Sequence, residues 1–305
     1  MKKPLVHIII LNWNGKEDTI ECINSVKKID YPNYKIILVD NGSTDNSVKV
    51  FKKKYPSIKI IKNKENLGYA EGNNVGIRYA LKNKADYVLI LNNDTVVDKH
   101  FLTELVKVAE SDDEIGIVGP KVYNYGTNKI QFLGIKNLFW NLVLYRKVVG
   151  RNKEDKGQFD YFTDVDFVAG CSTLIKSKVM RKVGLFDKEL FLYCEDVDFF
   201  IRAKKKGYQL KVAPDSHIWH KGSATSKKVS GFVRYYIARN NFIFVKRYFN
   251  LIQNSLFIAK YIFIKTPIIS AYLLIKEKDF KAFKDYLRGI FAGINYLFTG
   301  KIREY

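Results

Sequence analysis

Five apolar, β-branched runs alternate with four segments of helical spacing in the first 125 residues of this chain. The runs fall at residues 6–11, 34–39, 58–61, 86–91 and 115–118. Between them, Ile20, Ile23, Val26 and Ile29 recur at helical intervals, as do Ala70, Val75, Ile77 and Leu81. Further helices are expected around 44–51 and 101–109. Strand and helix alternating at this spacing predict a mostly parallel, Rossmann-like α/β sheet with right-handed crossovers, flanked by helices. The run at 86–91 is almost wholly apolar, as a central strand covered on both faces requires.

Open α/β sheets bind ligands outside the carboxyl ends of their strands, so the residues at those ends matter most. Val39-Asp40-Asn41-Gly42-Ser43-Thr44-Asp45 follows the second run. Asp40 there can accept a hydrogen bond from a base N3–H or a ribose hydroxyl, though an Asx-turn explains it alone. Asn92-Asn93-Asp94 ends the fourth run. One carboxylate among amides can hold Mg²⁺ or Mn²⁺ when diphosphate oxygens and water complete the shell; a capped turn is the plainer reading. Glu195-Asp196-Val197-Asp198 opens an amphipathic segment after Phe191-Leu192-Tyr193. Adjacent acids against an aromatic wall invite a raised pKa, which suits a general base; compensation of a helix dipole also accounts for them. His220, in His217-Ile218-Trp219-His220, can ligate a metal as neutral imidazole.

Beyond residue 124 the pattern loosens. Residues 124–161 predict irregular chain or a β-excursion, 164–175 a strand, 176–183 and 196–206 helices, and 208–212 a strand. From Gly231 cations interleave with aromatics, as in Arg234-Tyr235-Tyr236 and Lys246-Arg247-Tyr248-Phe249, with thirteen Lys/Arg against four Asp/Glu. Helical periodicity there is expected to break at Thr266-Pro267. The longest charge-free run, 248–259, falls short of the ~20 apolar residues of a spanning helix. Basic, aromatic helices lie on anionic membrane surfaces. That reading is preferred to helices that only pack, and it puts Tyr248, Phe249 and Tyr261 at headgroup depth. The expected division is 1–230, split near 123, and a helical, basic-aromatic extension at 231–305.

At 305 residues, with 47% hydrophobic and 27% charged residues, the chain is long and apolar enough for a large core, which excludes disorder. Three cysteines, Cys22, Cys171 and Cys194, fit no metal spacing and suggest a reducing compartment. The N-terminal apolar run is too short for a signal peptide. A net charge of +21 admits nucleic acid, an anionic membrane or a solvated lysine-rich surface. Carboxylates at strand ends would repel phosphates unless a cation intervened, so nucleic acid is not called for.

Together with Asn66-Leu67-Gly68-Tyr69-Ala70-Glu71-Gly72-Asn73-Asn74-Val75-Gly76, Phe167-Val168-Ala169-Gly170, Val183-Gly184-Leu185-Phe186-Asp187 and His220-Lys221-Gly222-Ser223, these clusters resemble an inverting family 2 glycosyltransferase of the GT-A fold, rhamnosyltransferase-like, over about residues 6–226. The resemblance implies that Asp40 binds the base, with Asn41, Asn66, Gly68, Asn73 and Asn93 around the nucleotide sugar. Asp94 matches the last acid of a D-x-D-like metal motif whose first position here is Asn92, and His220 joins that site. Asp196 matches the catalytic base, with Glu195 and Asp198 as supporting acids. The Q-x-x-R-W signature of processive members is absent; only Ala238-Arg239-Asn240-Asn241 stands after His220.

The implied reaction moves one sugar from a dTDP- or UDP-linked donor, rhamnose among the choices, to a saccharide or lipid-linked saccharide. It uses Mn²⁺ or Mg²⁺ and serves cell-surface glycan synthesis at the inner face of the cytoplasmic membrane. A sugar nucleotidyltransferase and a basic nucleic-acid or membrane binding module are the rival readings. The first needs a glycine-rich, basic loop after the first strand, where Asn12-Trp13-Asn14-Gly15 stands instead.

Overall fold

The apolar runs form strands whose side chains alternate between two buried faces. The computed structural model describes residues 3–136, 149–161, 163–222, 230–303 and 305. Its first half runs β1 (Val6–Asn12), α1 (Lys16–Val26), β2 (Tyr34–Asp40), α2 (Ser47–Lys54), β3 (Lys59–Lys62), α3 (Gly68–Lys82), β4 (Tyr87–Asn92), β5 (Thr95–Val97), α4 (Phe101–Glu110) and β6 (Ile115–Asn124). Strands β3, β2, β1 and β4 pair parallel in that order. Ile8, Ile10, Leu38 and Leu89 pack with Ile23, Phe51, Phe101 and Leu105 of α1, α2 and α4. Ile9, Ile37, Val39 and Ile90 face the other way, toward Ala70, Ile77 and Ala80 of α3. This period of two is the pleat itself. Each fully buried aliphatic chain contributes roughly 1.5–3 kcal/mol. Helix α3 comes close because Gly76 has no side chain; a Cβ there would sit 2.6 Å from Ile9 Cγ2.

The expected mostly parallel sheet with flanking helices and a C-terminal helical region is what forms, with additions the periodicity did not predict. The segment 164–175 is not one strand. It divides into β8 (Asp164–Val165) and β9 (Ser172–Lys176), separated by a turn in which Ser172 N–H bonds Ala169 carbonyl at 3.2 Å. Strand β9 runs antiparallel between β4 and β6. After α5 (Ser177–Val183) and α6 (Glu195–Lys205), β10 (Gln209–His220) pairs parallel with β6 and runs past the expected end at 212. Its register shifts between Ala213 and His217, where Pro214 has no N–H for the ladder. Short β5 pairs antiparallel with β10, and β7 (Ile130–Phe132) with β6. Of the stretch 124–161, residues 137–148 lie outside the described residues.

The chain divides into two compact units. Met1–Phe186 with Phe199–Ala224 carries the sheet; Asp187–Asp198 with Thr225–Tyr305 forms the second. In the second unit, α7 (Ser230–Tyr248) packs against α10 (Phe280–Thr299). Between them in sequence lie α8 (Leu251–Lys260), a π-helical turn at Tyr261–Lys265, α9 (Thr266–Ala271) and a second π turn at Tyr272–Lys276. The helix is therefore not broken at Thr266-Pro267. The wider turn ends where Thr266 N–H bonds Tyr261 carbonyl, and Thr266 Oγ1 donates to the same oxygen at 2.9 Å, so the chain continues through proline.

The result is one helix, Leu251–Lys276, of 26 residues, whose most apolar 18-residue window has mean hydropathy 1.5 and is 11% buried. By length and composition it can cross a membrane, which overturns the expectation of no such run. Phe249 and Tyr261 are buried within this unit, so they do not reach a headgroup region as expected. Leu251, Ile252, Phe263 and Ile275 are the strongly exposed residues instead.

Candidate active site

The parallel register of β1 with β2 sets Asn12 beside Asp40, and these strand ends knit into a polar lattice. Asp40 is fully buried. Its Oδ1 accepts from Asn12 Nδ2 at 2.9 Å and its Oδ2 from the N–H of Ser43, three residues on, at 3.2 Å. The Gly42-Ser43-Thr44 loop follows it. That loop is braced from β1: Asn14 Oδ1 accepts Thr44 N–H at 2.9 Å, and Ser43 Oγ accepts from both Asn12 Nδ2 and Asn14 N–H at 3.0 Å.

Asn41 ties the same strand to the β3–α3 loop. Its amide donates to Asn66 Oδ1 at 2.8 Å and Gly68 carbonyl at 3.0 Å, while its oxygen accepts from Asn63 Nδ2 at 3.0 Å and Leu67 N–H at 3.2 Å. Asp40, Asn41, Asn66 and Gly68 are thus brought together. Asn73, on α3, donates to Tyr69 carbonyl at 2.9 Å and keeps a buried Oδ1 without a hydrogen-bond partner. Asn93 donates to Thr19 Oγ1 at 2.9 Å, and that hydroxyl in turn donates to Asn12 Oδ1 at 2.9 Å.

Asp94 and His220 meet because β5 pairs with the end of β10, setting Thr95 opposite His220. His220 Nε2 lies 3.2 Å from Asp94 Oδ1. His220 Nδ1 lies 2.7 Å from Gln131 Oε1, and the Gln131 amide donates to His220 carbonyl at 3.1 Å. That assignment puts the ring proton on Nδ1 and the lone pair on Nε2, a buried nitrogen with no hydrogen-bond partner. An orphaned imidazole nitrogen beside a carboxylate, oriented through its other nitrogen, is a donor pair that fits a divalent cation. No third His, Cys, Asp or Glu joins them among the described residues. Asn92 is occupied by Tyr69 Oη, which donates to its Oδ1 at 2.8 Å.

The acid cluster belongs to the second unit and is mounted differently. Phe191, Tyr193 and Cys194 have φ of 60°, 68° and 71°. Left-handed backbone costs such residues roughly 1–2 kcal/mol each. Glu195 follows, buried, with Oε2 lacking a hydrogen-bond partner. Burial first, then the charge of Asp196, holds its carboxyl well above the ordinary range. Asp196 is only half-buried, and its Oδ1 accepts Val197 N–H at 2.7 Å. Desolvation pushes it up to about 6, against the opposing pull of the Val197 and Asp196 N–H groups. Both carboxyls are thus raised, Asp196 to about 6 and the more deeply buried Glu195 in the same direction. Asp198 is buried, accepts from Tyr248 Oη at 2.5 Å and lies 3.5 Å from the Arg247 guanidinium, so it acts as a tether.

The family described as "Glycosyl transferase family 2" matches residues 7–184, more than half of the chain. The chain belongs to glycosyl transferase family 2. Its sequence is 24% identical over 305 residues to a protein named dTDP-rhamnosyl transferase RfbF of Shigella flexneri, covering 95% of this chain and 98% of that one. It is 26% identical over 231 residues to Rhamnosyltransferase WbbL of Escherichia coli K12, covering 71% and 83%. By contrast it spans about half of a Staphylococcus epidermidis poly-β-1,6-N-acetyl-D-glucosamine synthase, at 24% identity over 70% of this chain and 49% of that one. Among solved structures it is similar to the Pyrobaculum calidifontis mannosyltransferase PcManGT in complex with GDP-Man and Mn²⁺. The TM-score there is 0.59 at 16% identity, over 99% of this chain and 89% of that one, a likeness of fold.

As a family 2 glycosyltransferase of GT-A fold, the chain has parts that sequence reasoning passed over. Asn12, Asn14 and Thr19 hold the strand-end lattice, and Gln131 orients His220. The Asn-rich turn after β1 was the available signal for the first three. Nothing near Gln131 in sequence points to His220. Arg239 and Asn240 stood out only as departures from Q-x-x-R-W, yet both are buried and bonded to the turn that leads into Glu195.

Proposed function

We propose that this glycosyltransferase moves a single sugar, with inversion, from a nucleoside-diphosphate sugar to a hydroxyl of a saccharide or lipid-linked saccharide in cell-surface glycan synthesis. The supporting observation is the unequal acid pair: Asp196 is half-exposed with its carboxyl raised to about 6, while Glu195 beside it is buried with Oε2 unpartnered. Two neighbouring acids driven apart in this way mark one of them as a base poised near neutral pH. Asp196 takes the proton of the acceptor hydroxyl as its oxygen attacks the anomeric carbon. The bond from that carbon to the diphosphate breaks, and its electron pair leaves with the diphosphate. A single displacement inverts the anomeric centre and needs no enzyme nucleophile.

The nucleotide is assigned to the strand-end lattice: Asp40, Asn41, Asn66, Gly68, Asn73 and Asn93. Asp94 and His220 would hold a Mn²⁺ or Mg²⁺ ion, which when bound offsets charge on the departing diphosphate. The names of the Shigella and E. coli relatives make a dTDP-linked rhamnose the first donor to try.

A donor panel without acceptor, with Mn²⁺, Mg²⁺ or EDTA, is the direct test. Release of nucleoside diphosphate from one sugar nucleotide is expected, followed by an inverted linkage once acceptor is added. A retained configuration or no turnover of any donor defeats the proposal.

The second unit is assigned to an anionic membrane surface at the inner face of the cytoplasmic membrane. The helix Leu251–Lys276 exposes Leu251, Ile252, Phe263 and Ile275, and Lys260, Lys265 and Lys276 punctuate it. Lysines near anionic lipid are worth ~1 kcal/mol each, and apolar side chains add burial. Full-length protein should sediment with anionic liposomes. Release by salt or carbonate marks a peripheral protein; release by detergent alone marks an inserted helix. No sedimentation removes the membrane assignment.

A further inference from the structure

Arg239 and Asn240 of α7 are 1% and 0% exposed, and the reaction above gives neither a task. A buried guanidinium and a buried amide destabilise a fold unless their donors find acceptors. Here the acceptors are main-chain carbonyls of one short segment. Asn240 Nδ2 lies 2.7, 2.9 and 2.8 Å from the carbonyl oxygens of Leu190, Leu192 and Tyr193. Arg239 Nη2 donates to Glu189 carbonyl at 2.7 Å and Leu190 carbonyl at 3.2 Å. Its Nη1 donates to Arg303 carbonyl at 2.8 Å. Arg239 Nε donates to Asn240 Oδ1 at 2.9 Å, which turns the NH₂ group toward the three carbonyls.

These carbonyls lie along the stretch in which Phe191, Tyr193 and Cys194 have positive φ. Positive-φ residues break the ladder of a helix or strand; within the segment Leu192 N–H reaches Leu190 carbonyl at 2.6 Å, and α7 adds donors to that oxygen and to the carbonyls of Glu189, Leu192 and Tyr193. Helix α7 also supplies aromatic cover: the Phe191 ring stacks on Tyr236 at 4.7 Å and 13°, and the Arg239 guanidinium sits 4.6 Å from the other ring of that pair, Tyr236. The turn feeds directly into α6, where Cys194 carbonyl accepts Asp198 N–H at 2.9 Å. Whatever fixes residues 189–194 fixes the first turn of α6.

We infer that Arg239 and Asn240 are positioning residues: they hold the left-handed turn at 189–194 and thereby set where the Asp196 carboxylate stands, without touching substrate. The inference rests on the reading of Asp196 as the base. It differs from simple stabilisation in one respect. If the pair serves to hold a strained backbone, relieving the strain replaces it.

The test uses the full-length enzyme with the donor found above. Asn240→Ala should lower kcat by ~10–10²-fold, the size expected when a catalytic group is misplaced by about an ångström. KM for the donor should stay within about twofold, since uniform binding is untouched. Amide hydrogen exchange at 190–198 should rise. Adding Cys194→Gly, which allows positive φ without a side-chain penalty, should return about fivefold of the lost kcat. Unchanged kcat in Asn240→Ala overturns the inference, whether or not exchange rises. So does a loss of kcat that the glycine leaves unrepaired while exchange at 190–198 stays at the wild-type level. Should Asn240→Ala fail to fold, Arg239→Lys keeps the charge, loses the fork, and is judged by the same kcat and exchange criteria. Asp196→Asn separates the two layers: wild-type turnover there refutes the base, while exchange in Asn240→Ala still reports whether the pair holds the turn.

Discussion

At the ends of β1 and β2 the polar side chains hold one another; before α6 they are held from fifty residues further along the chain. The first arrangement joins Asn12, Asn14, Asp40, Asn41 and Ser43 through bonds of 2.8–3.2 Å between loops that regular strands deliver side by side. Its positive-φ positions are Asn14, Gly42 and Gly68, residue types that tolerate left-handed backbone. The second places Phe191, Tyr193 and Cys194 in that conformation, against their preference. The contrast follows from what each region must do. The nucleotide-binding role proposed for the lattice needs donors and acceptors at fixed points, which a sheet provides. A base must be partly desolvated beside a second acid, and strained backbone concentrates where function requires such an arrangement.

The sharpest way to break this contrast is at the proposed base, Asp196. Asp196→Asn keeps shape and removes proton acceptance, so transfer should fall ~10²–10⁴-fold with donor affinity kept. Glu195→Gln alters the neighbouring acid and leaves the proposed proton acceptor in place, so it should cost far less. Equal losses in the two variants, measured as kcat under saturating donor, show that the acids are not divided as described.

Acid pH should move activity and stability in opposite directions. Turnover needs ionised Asp196, so kcat should drop about tenfold per unit below the apparent value of the pair, near 6. Stability has the other sign. Glu195 and Asp196 bind protons more tightly folded than unfolded. Their contribution is complete below the unfolded values near ~4 and is lost as pH rises through the folded ones. The wild type should therefore gain thermal stability between about pH 7 and about pH 5, and Asp196→Asn should gain less. Equal gains in both proteins remove the pair as the source.

Much of the lattice half was legible because its signals are local. Apolar runs marked the strands, and strand ends marked Asp40, Asn41, Asp94 and His220. The insertion of β9 between β4 and β6 was not legible, since a short β-branched run looks alike in either direction. Gln131 was hidden because β7 brings it to His220 across 89 residues. The acid pair announced itself as Glu195-Asp196, but not its mounting, since aromatic residues carry no signature of positive φ. Thr266-Pro267 read as a stop because proline removes an N–H; the π turn before it restores the missing acceptance through Thr266.

In the lattice the residue matched to left-handed backbone is already glycine, so adding a side chain must hurt. Gly42 has φ of 73°, and a Cβ there would run into the backbone of Glu65. Gly42→Ala should destabilise by about 2–4 kcal/mol, the sum of a left-handed penalty and an overpacked contact. Thermal unfolding measures it; a loss within the scatter of surface substitutions means the loop moves aside freely.

The same argument run on the acid-bearing turn gives the smallest effect and the opposite sign. Cys194 has φ of 71°, and its backbone is held there by neighbours rather than by its own preference. Glycine takes that conformation without a Cβ clash, which recovers roughly 1–2 kcal/mol. Against this, glycine loses more freedom on folding, by roughly 0.5–1 kcal/mol. Removing a small, partly buried side chain subtracts a little more. Cys194→Gly should therefore leave stability unchanged or raise it by up to about 1 kcal/mol, where a glycine in ordinary helical or extended backbone would lower it. Matched substitutions at Val197, inside α6, supply that control. If Cys194→Gly destabilises as much as Val197→Gly, the turn before the acids is not strained, and the difference drawn between the two regions disappears.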